Sequence, residues 1–257
     1  MLEYTRSELM TITAARELRD GEVVFVGIGL PNLAANLAKR TRAPNLIMIY
    51  EAGVIGANPN RLPLSIGDPC LVSGAKSVCS MFEVFGLYLQ AGRIDVGFLE
   101  GAQIDKYGNI NSTVIGNYQT PKVRLPGSGG ACEIASLAKR ILVITTHETR
   151  KFPEKVDFVT SPGFLAGRKE REQLGLEGGG PEAVITDLGV MKFDKETGEM
   201  MLAFLHPKVK IEEVKQNTGW NLKTSKAMKT TEEPSEKELS ILRQLDPQRI
   251  YLGKSTR

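Results

Sequence analysis

The hydrophobic positions of this chain follow two alternating patterns, which are short apolar runs and longer stretches with helical spacing. Thr5 and Glu8 have the three-residue spacing of a helix capping box, and apolar residues then recur every three or four positions. Residues 22–26 are a short segment rich in β-branched residues, and residues 46–50 are a short apolar run, so both are predicted to be strands. A helix predicted over 31–40 separates them. These segments predict a β-α-β unit, whose two strands lie parallel.

The same alternation continues to the end of the chain. Further helices are predicted over 81–91, 131–140 and 239–245, and further strands over 94–99, 141–146, 183–186, 190–193 and 200–205. Apolar strands that alternate with helices are typical of a sheet covered on both faces. The predicted fold class is therefore α/β, with an open, mostly parallel sheet flanked by helices and a C-terminal hairpin and helix. No shift in composition marks a boundary, so we predict one domain over residues 1–257.

Composition and charge argue against several classes of function. The chain has 257 residues, of which 41% are hydrophobic and 25% charged, as in an ordinary soluble globular protein. The net charge of +3 is too small to indicate nucleic-acid binding, and the densest basic cluster, residues 223–229, is expected to be a solvated surface. No apolar run approaches the roughly 18 residues that a membrane helix needs, and no signal peptide is evident.

The cysteines and histidines argue against a disulfide framework and a metal site. Cys70, Cys79 and Cys132 are an odd number without Cys-x-x-Cys spacing, as expected of free thiols in a reducing cytoplasm. His147 and His206 are too few for a multi-histidine site, and His147 is expected to satisfy buried backbone groups. We therefore expect a cytoplasmic protein without a metal.

Glu51 is the strongest candidate for chemistry, because it follows the strand predicted over 46–50. Ligands of open α/β sheets bind outside the carboxyl ends of the strands. A carboxylate there can grip a ribose hydroxyl or attack an activated carbonyl. The turn at Gly27 and Gly29, with Glu51 22 residues further on, is close to a dinucleotide-binding fingerprint, although Asn32 replaces the third glycine. NAD binding therefore stays open.

Two further segments combine backbone donors or neutral polar side chains near predicted strand ends. Residues 127–131 are a glycine-rich turn before a helix, which can present N–H groups to a phosphate or an oxyanion or can simply be a flexible turn. The loop after strand 94–99 carries neutral hydrogen-bonding side chains, which can serve a site or merely form turns. These side chains are Gln103, Asn109, Asn111 and Ser112.

Taken together, these segments resemble the β subunits of the family I CoA-transferases, with the glutaconate type as the nearest match. The resemblance covers almost the whole chain. The matching segments are 27–31, 51–53, 101–113, 127–131, 157–163 and 217–219. Each motif alone is weak evidence for the family, but the number of motifs and their order along the chain support the resemblance. Two departures are Ala52, where relatives carry Ser or Asn, and the stretch 54–60.

The resemblance implies a mechanism and roles for individual residues. Glu51 would be the nucleophile that attacks an acyl-CoA and becomes a covalent glutamyl-CoA thioester. Oxyanion or CoA-binding roles would fall to Gly129, Gly130, Gln103, Asn109 and Asn111, and the turns near the site would be at Gly27, Gly29 and Gly53.

The resemblance also implies the substrates and the partner. No metal or permanently bound cofactor is expected, because the CoA thioester is itself a substrate. The acceptor would be a carboxylic acid, such as the dicarboxylate glutaconate. A homologous α subunit would complete a hetero-oligomer, either a heterotetramer or a heterooctamer.

Two other hypotheses remain. The first is a CoA-thioester hydrolase or a glutaconyl-CoA-type decarboxylase on the same fold. Related enzymes that changed to decarboxylation or ring hydrolysis have lost the glutamate, whereas this chain keeps Glu51, which favours transfer. The second is a non-catalytic module that binds NAD or a partner through Gly27, Gly29 and Glu51.

Overall fold

A computed structural model describes residues 2–253 of the chain. Its α-helices are α1 Arg6–Arg16, α2 Leu30–Thr41, α3 Met81–Glu83, α4 Ala131–Leu137, α5 Arg168–Gln173, α6 Ile211–Gln216 and α7 Glu236–Leu245. A 3₁₀ helix spans Pro69–Val72, and a π-helix over Val84–Leu89 continues α3. The predicted domain over 1–257 also includes Met1 and residues 254–257, which lie outside the described residues.

The strands of the same part of the chain are short and mostly buried. They are β1 Val23–Val26, β2 Ile47–Ile49, β3 Val54–Ile55, β4 Ser77–Val78, β5 Val96–Leu99, β6 Gln103–Ile104, β7 Ile110–Asn111, β8 Val114–Gly116, β9 Pro121–Arg124, β10 Arg140–Ile144, β11 Pro181–Ile185, β12 Gly189–Phe193, β13 Met200–Leu205 and β14 Lys223–Thr230. β6 pairs with β7 and β8 with β9 as separate antiparallel ladders.

The other ten strands form a single sheet in the order β14-β13-β12-β11-β10-β5-β1-β2-β3-β4. The central strands β2, β1, β5, β10 and β11 are mutually parallel, and β13 pairs parallel with β14. The fold class is therefore confirmed as α/β with a mostly parallel sheet. The predicted hairpin is confirmed as β12 and β13, which lie within the sheet.

Helix starts follow the predicted capping chemistry. The N–H of Glu8 donates to Thr5 Oγ1 at 3.2 Å, and the N–H of Thr5 donates to Glu8 Oε2 at 2.8 Å. The same reciprocal pair joins Ser235 and Glu238 before α7. Each box satisfies backbone donors that the first helical turn leaves unpaired.

Two predicted helices differ from the structure. The helix predicted over 131–140 ends at Leu137, because Arg140 begins β10 and its buried guanidinium pairs with Glu22 at 2.8 Å. The helix predicted over 81–91 passes into the π-helix instead of staying α-helical. The basic residues 223–229 are mostly exposed, as predicted, and lie in the edge strand β14, where charged side chains protect the open edge from further pairing.

Buried side chains fill both faces of the sheet. One core includes Met10, Leu33 and Tyr50, under α1, α2 and α7. The other includes Phe25 and Ile134, on the side of α4. This two-sided burial explains the apolar strands read from the sequence. No helix among residues 2–253 is long and apolar enough to cross a membrane.

Candidate active site

Glu51 lies in a tight turn that joins β2 to β3. The N–H of Gly53 donates to the carbonyl of Tyr50 at 2.9 Å, and the N–H of Tyr50 donates to the carbonyl of Val54 at 3.0 Å. Gly53 has φ +98°, and a Cβ at this position would lie 1.8 Å from the carbonyl oxygen of Cys79. Only glycine fits there, so Gly53 determines how the chain presents Glu51.

Tyr50 anchors the end of β2 to the helix behind it. Its hydroxyl donates to Asn32 Oδ1 at 2.7 Å, and Asn32 is fully buried on α2. Burial raises the pKa of Tyr50, so the hydroxyl stays protonated and remains a donor. Asn32, the residue that departs from the dinucleotide fingerprint, therefore supports the strand that carries Glu51.

Glu51 accepts a hydrogen bond from the glycine-rich turn predicted over 127–131. The N–H of Gly130 lies 3.1 Å from Glu51 Oε1, and Gly130 is the N-cap residue of α4. The start of a helix favours an anionic side chain, because its N–H groups are unpaired and its dipole is positive there. The structure thus brings together two of the residues that the sequence singled out separately.

The contact between Glu51 and Gly130 leaves no room for a larger residue. A Cβ on Gly130 would lie 2.3 Å from Phe85 Cζ and 2.6 Å from Glu51 Oε1. Gly129 has φ +47°, and a Cβ there would lie 3.9 Å from the same carboxylate oxygen. Phe85, which the sequence reasoning did not single out, is one wall of the site and packs on Phe25 with ring centroids 5.3 Å apart.

Ser112 holds the glycine-rich turn in place. Its hydroxyl donates to the carbonyl of Gly127 at 2.8 Å, and the N–H of Gly127 donates back to the carbonyl of Ser112 at 2.8 Å. This two-way link joins the polar loop after β5 to the turn that contacts Glu51. From the sequence, Ser112 was named only as one of the polar side chains of this loop, and no separate role was predicted for it.

The predicted residues Gln103 and Asn111 lie behind this link. Asn111 Nδ2 donates to Gln103 Oε1 at 2.7 Å, and Gln103 Nε2 donates to Asp157 Oδ2 at 3.0 Å. Both residues are buried, so each of these bonds replaces one that water would otherwise make. Within the described chain, these side chains bond to the loops that support the site and not to Glu51.

Asn109 organises a neighbouring loop. Its Nδ2 donates to both carboxylate oxygens of Asp105 and to the carbonyl of Leu165 at 2.9 Å. Its Oδ1 accepts from the N–H groups of Gly163 and Leu165 at 2.9 and 3.0 Å. Leu165 has φ +60°, a rare conformation for a leucine. Asn109 therefore holds a strained loop.

Gly27 and Gly29 form the turn between β1 and α2, beside the turn of Glu51. Gly29 has φ +105°, and a Cβ there would lie 3.4 Å from Glu100 Oε2. Glu100 follows β5, was not singled out in the sequence, and is exposed in the single chain. Desolvation by neighbouring residues nevertheless raises the pKa of its carboxyl to about 7, against the opposing charge of Lys151.

The histidines are structural. His147 Nδ1 lies 3.2 Å from Thr186 Oγ1, and its Nε2 lies 3.0 Å from Thr218 Oγ1. The ring stacks on Phe152 at 4.1 Å between centroids, and burial lowers the pKa of His147 to about 4. His147 thus bonds to hydroxyl groups instead of the predicted backbone groups. Among the residues described, no three His, Cys, Asp or Glu side chains cluster to hold a metal.

A second cleft, of about 420 Å³, lies at the opposite edge of the sheet. Lys139, Arg140 and Pro181 line it, at the amino ends of β10 and β11. Glu51 leaves the carboxyl end of β2, and these strands run parallel through the sheet. The cleft is therefore remote from Glu51, and its Arg140 is already paired with Glu22.

Comparison with known proteins shows the family of this chain. The sequence profile of the family described as coenzyme A transferase matches residues 7–217. The chain is 51% identical over 246 residues to the β subunit of 3-oxoadipate CoA-transferase of Pseudomonas knackmussii, covering 96% of this chain and 95% of the relative. It is 40% identical to the β subunit of glutaconate CoA-transferase of Acidaminococcus fermentans, covering 98% and 97%.

Solved structures agree as well. The crystal structure of glutaconate coenzyme A-transferase from A. fermentans superposes with a TM-score of 0.91 at 39% identity, and the match covers 98% of both chains. The decarboxylase AibA/AibB superposes with a TM-score of 0.82 at 24% identity, covering 97% of this chain and 98% of that one, and shows the shared fold alone. The predicted resemblance is confirmed, and the chain belongs to the coenzyme A transferase family as a β subunit.

Proposed function

We propose that Glu51 is the nucleophile of this CoA-transferase chain and carries CoA as a glutamyl thioester. The observation that supports this role most directly is the 3.1 Å hydrogen bond from the Gly130 N–H to Glu51 Oε1. A carboxylate fixed on a helix N-terminus, at the carboxyl edge of a parallel sheet, is oriented for attack and lies where ligands of such sheets bind.

The reaction balances without a metal or a redox cofactor. A Glu51 oxygen attacks the thioester carbon, the C–S bond breaks, and CoA thiolate leaves with the electron pair. The thiolate then attacks the glutamyl carbonyl of the mixed anhydride. The bond from the glutamyl carbon to the bridging oxygen breaks, and the original acyl group leaves with that oxygen as a carboxylate. An incoming carboxylate reverses both steps. Covalent catalysis of this kind predicts ping-pong kinetics.

The Gly130 N–H serves the second half of each exchange. It faces Glu51 Oε1, which is one of the two oxygens of the group that the thiolate attacks. When that carbonyl becomes tetrahedral, its oxygen gains negative charge, and a donor already in place stabilises it. The backbone conformation of Gly129 directs the N–H of Gly130 towards Glu51. Its φ of +47° is easily adopted by glycine. Gln103 and Asn111 support the same turn through Ser112.

A homologous α subunit completes the enzyme in this proposal. The relatives in the comparison are each named as one of two kinds of subunit, the β kind. Next to the turn of Glu51, the chain leaves a run of apolar side chains in contact with solvent. We name this run the exposed apolar segment, and its exposed members are Leu64, Ile66, Val72, Val78, Met81, Phe82 and Leu87. Exposed apolar surface of this kind marks protein–protein contacts. Assembly into a heterotetramer or heterooctamer would bury it.

The acid substrate in this proposal is a dicarboxylate. The two relatives at 51% and 40% identity are named for 3-oxoadipate and glutaconate, both of which carry two carboxyl groups. We also propose that the protein acts in the reducing cytoplasm, which its three free thiols, Cys70, Cys79 and Cys132, support. The CoA thioester enters and leaves as a substrate, and the mechanism uses no resident cofactor.

The test is the intact mass of the chain co-expressed with its α subunit, after incubation with an acyl-CoA and then borohydride. Borohydride reduces a glutamyl thioester to an alcohol, so the chain should lose about 14 Da at Glu51. The Glu51→Gln variant, which keeps the shape of the side chain without a nucleophilic carboxylate, should show no change.

The other outcomes identify the alternatives. Release of free CoA without an acceptor acid, with unchanged mass, would support the hydrolase. Gas release would support the decarboxylase. Retention of NAD at micromolar concentration without CoA binding would support the dinucleotide-binding module.

A further inference from the structure

Glu100 is a second carboxyl group at the sheet edge that carries Glu51. It follows β5, and β1 lies between β5 and β2 in the sheet. Phe25 of β1 pairs with both Ile49, the last residue of β2, and Gly97, so β5 runs two residues further towards this edge than β2. With neighbouring strands about 4.8 Å apart, the two strands that precede these carboxyl groups are about 10 Å apart.

The two carboxyl groups lie on either side of the turn at Gly27 and Gly29. Glu100 Oε2 lies 3.4 Å from the position of a Cβ on Gly29, and the N–H of Leu30 at the start of α2 favours its charged form. The simplest role for Glu100 is to cap α2, since Gly29 offers no side chain for that purpose. However, Glu100 remains exposed in the single chain, so a capping role leaves it free to meet a ligand.

We propose that Glu100 contacts the remote carboxyl group of a dicarboxylic acid while the reacting carboxyl group lies at Glu51. This inference rests on the proposed function and deepens it. The carboxyl carbons of an extended six-carbon dicarboxylate are roughly 6 Å apart, from C–C bonds of about 1.5 Å. That length fits within the roughly 10 Å that separates the two strands that precede Glu51 and Glu100.

The contact requires one proton between the two carboxyl groups. Two carboxylates at hydrogen-bond distance cannot both stay ionised, so the protonated Glu100 donates to the carboxylate of the acid. Desolvation raises the pKa of the Glu100 carboxyl to about 7. The groups that oppose this shift are Lys151, whose Nζ is held by Thr145 and Thr146, and the Leu30 N–H. Binding of the dicarboxylic acid should therefore weaken as the pH rises through the pKa of Glu100.

The experiment measures KM and kcat of the two-subunit enzyme between pH 6 and 8.5. The acids are 3-oxoadipate, which has a remote carboxyl group, and acetate, which has none. For an acid that is not transferred, the inhibition constant replaces KM. Glu100→Ala should raise KM for 3-oxoadipate about tenfold at pH 6.5, the size expected for one hydrogen bond to a charged group, and should leave acetate within about twofold.

Glu100→Gln supplies the decisive comparison. Its amide still donates a hydrogen bond but carries no titrating proton. KM for 3-oxoadipate should therefore stay close to the wild-type value at pH 6.5 and should no longer rise at higher pH. Ser235→Ala, which removes the cap of α7 at a distance from the site, should lower thermal stability and leave both KM values and their pH profiles unchanged.

A capping role alone gives a different result. In that case the Glu100 variants would change both acids equally, or change only the thermal midpoint, and the pH profile of KM would stay as in the wild type. Either outcome would overturn the proposal. Failure of the proposed function is recognised separately, because the borohydride mass change at Glu51 would then be missing in the wild type as well as in Glu100→Gln.

Discussion

The backbone N–H of Gly130 donates to Glu51 Oε1 at 3.1 Å and joins two turns that are 79 residues apart in the chain. One turn leaves β2, and the other begins α4. Nothing in the sequence of either turn indicates that it contacts the other. The parallel sheet brings the two turns together. Because the carboxylate is oriented by a backbone group, side-chain substitutions change this contact mainly through steric displacement.

Gly130→Ala should therefore abolish most of the activity while the chain still folds. The added Cβ would lie 2.6 Å from Glu51 Oε1 and 2.3 Å from Phe85 Cζ, so the carboxylate must move away from the Gly130 N–H. Loss of one such donor costs about 100-fold or more in kcat. The measurement is steady-state transfer between an acyl-CoA and an acid by the two-subunit enzyme.

Gly86→Ala is the matched control for this variant. Gly86 lies in the same π-helix as Phe85, and a Cβ there meets no atom of this chain within 4 Å. Because Gly86 adjoins Leu87 of the exposed apolar segment, the control also requires that the variant co-purifies with the α subunit as the wild type does. Activity within about twofold of the wild type is expected, with a small gain in stability from the reduced freedom of the unfolded chain. Full activity of Gly130→Ala would show that the Gly130 N–H is not needed to orient Glu51.

Local signals in the sequence were sufficient for most of the fold. The capping boxes at Thr5 and Ser235 gave the starts of α1 and α7, because a cap is a property of neighbouring residues. The apolar run ending at Tyr50 gave β2 and the position of Glu51 at the strand end. These features depend on interactions within a few residues, which a single sequence displays.

The features that the sequence did not predict depend on contacts between residues far apart in the chain. Glu100 shows no motif of its own, and its altered pKa arises from desolvation by residues that the fold brings near it. Arg140 begins a strand because Glu22, more than 100 residues earlier, pairs with it in the interior. β14 is polar and gains its structure by pairing with β13. Periodicity cannot reveal any of these partners.

Asn109→Ala should destabilise the chain strongly and change substrate binding little. The variant loses hydrogen bonds to Asp105, Gly163 and Leu165 in a buried loop, and it leaves the buried polar groups unpaired. The expected loss is about 3 kcal/mol in the free energy of unfolding, measured by chemical denaturation. KM of the remaining folded enzyme should stay within about twofold of the wild type.

Asn117→Ala provides the comparison for Asn109→Ala. Asn117 also accepts from nearby backbone N–H groups, those of Gln119 and Thr120, but in an exposed turn. Its loss should cost less than about 1 kcal/mol. If Asn109→Ala kept its stability but lost turnover, Asn109 would belong to the catalytic machinery instead of the supporting loop.

Stability should fall as the pH is lowered from 6.5 towards 4. Burial lowers the pKa of His147 and of His206 from 6.5 to about 4, so the unfolded chain binds protons in this range that the folded chain does not. Each histidine then lowers the free energy of unfolding by about 1.4 kcal/mol at pH 5.5 relative to pH 7.5. Glu100 acts in the opposite direction, because its pKa is raised.

The comparison of wild type with His147→Gln isolates one of these contributions. The variant loses the stacking on Phe152 at every pH, so its absolute stability falls. The informative quantity is the change in unfolding free energy between pH 7.5 and 5.5, which should be smaller in the variant by about 1.4 kcal/mol. An unchanged pH dependence would mean that His147 titrates normally in the folded chain.

Phe82→Glu should prevent assembly with the α subunit without unfolding the chain. Phe82 is 82% exposed in the exposed apolar segment, so a charge there costs little in the free chain but is costly in an apolar interface. Co-purification of a tagged α subunit should drop at least tenfold, and CoA transfer should fall with it. Leu174→Glu is the matched control, because Leu174 is 63% exposed but lies at the end of α5, outside that segment. Equal loss of assembly in both variants would point to a general effect of added charge, whereas normal assembly of Phe82→Glu would place the α subunit on another face.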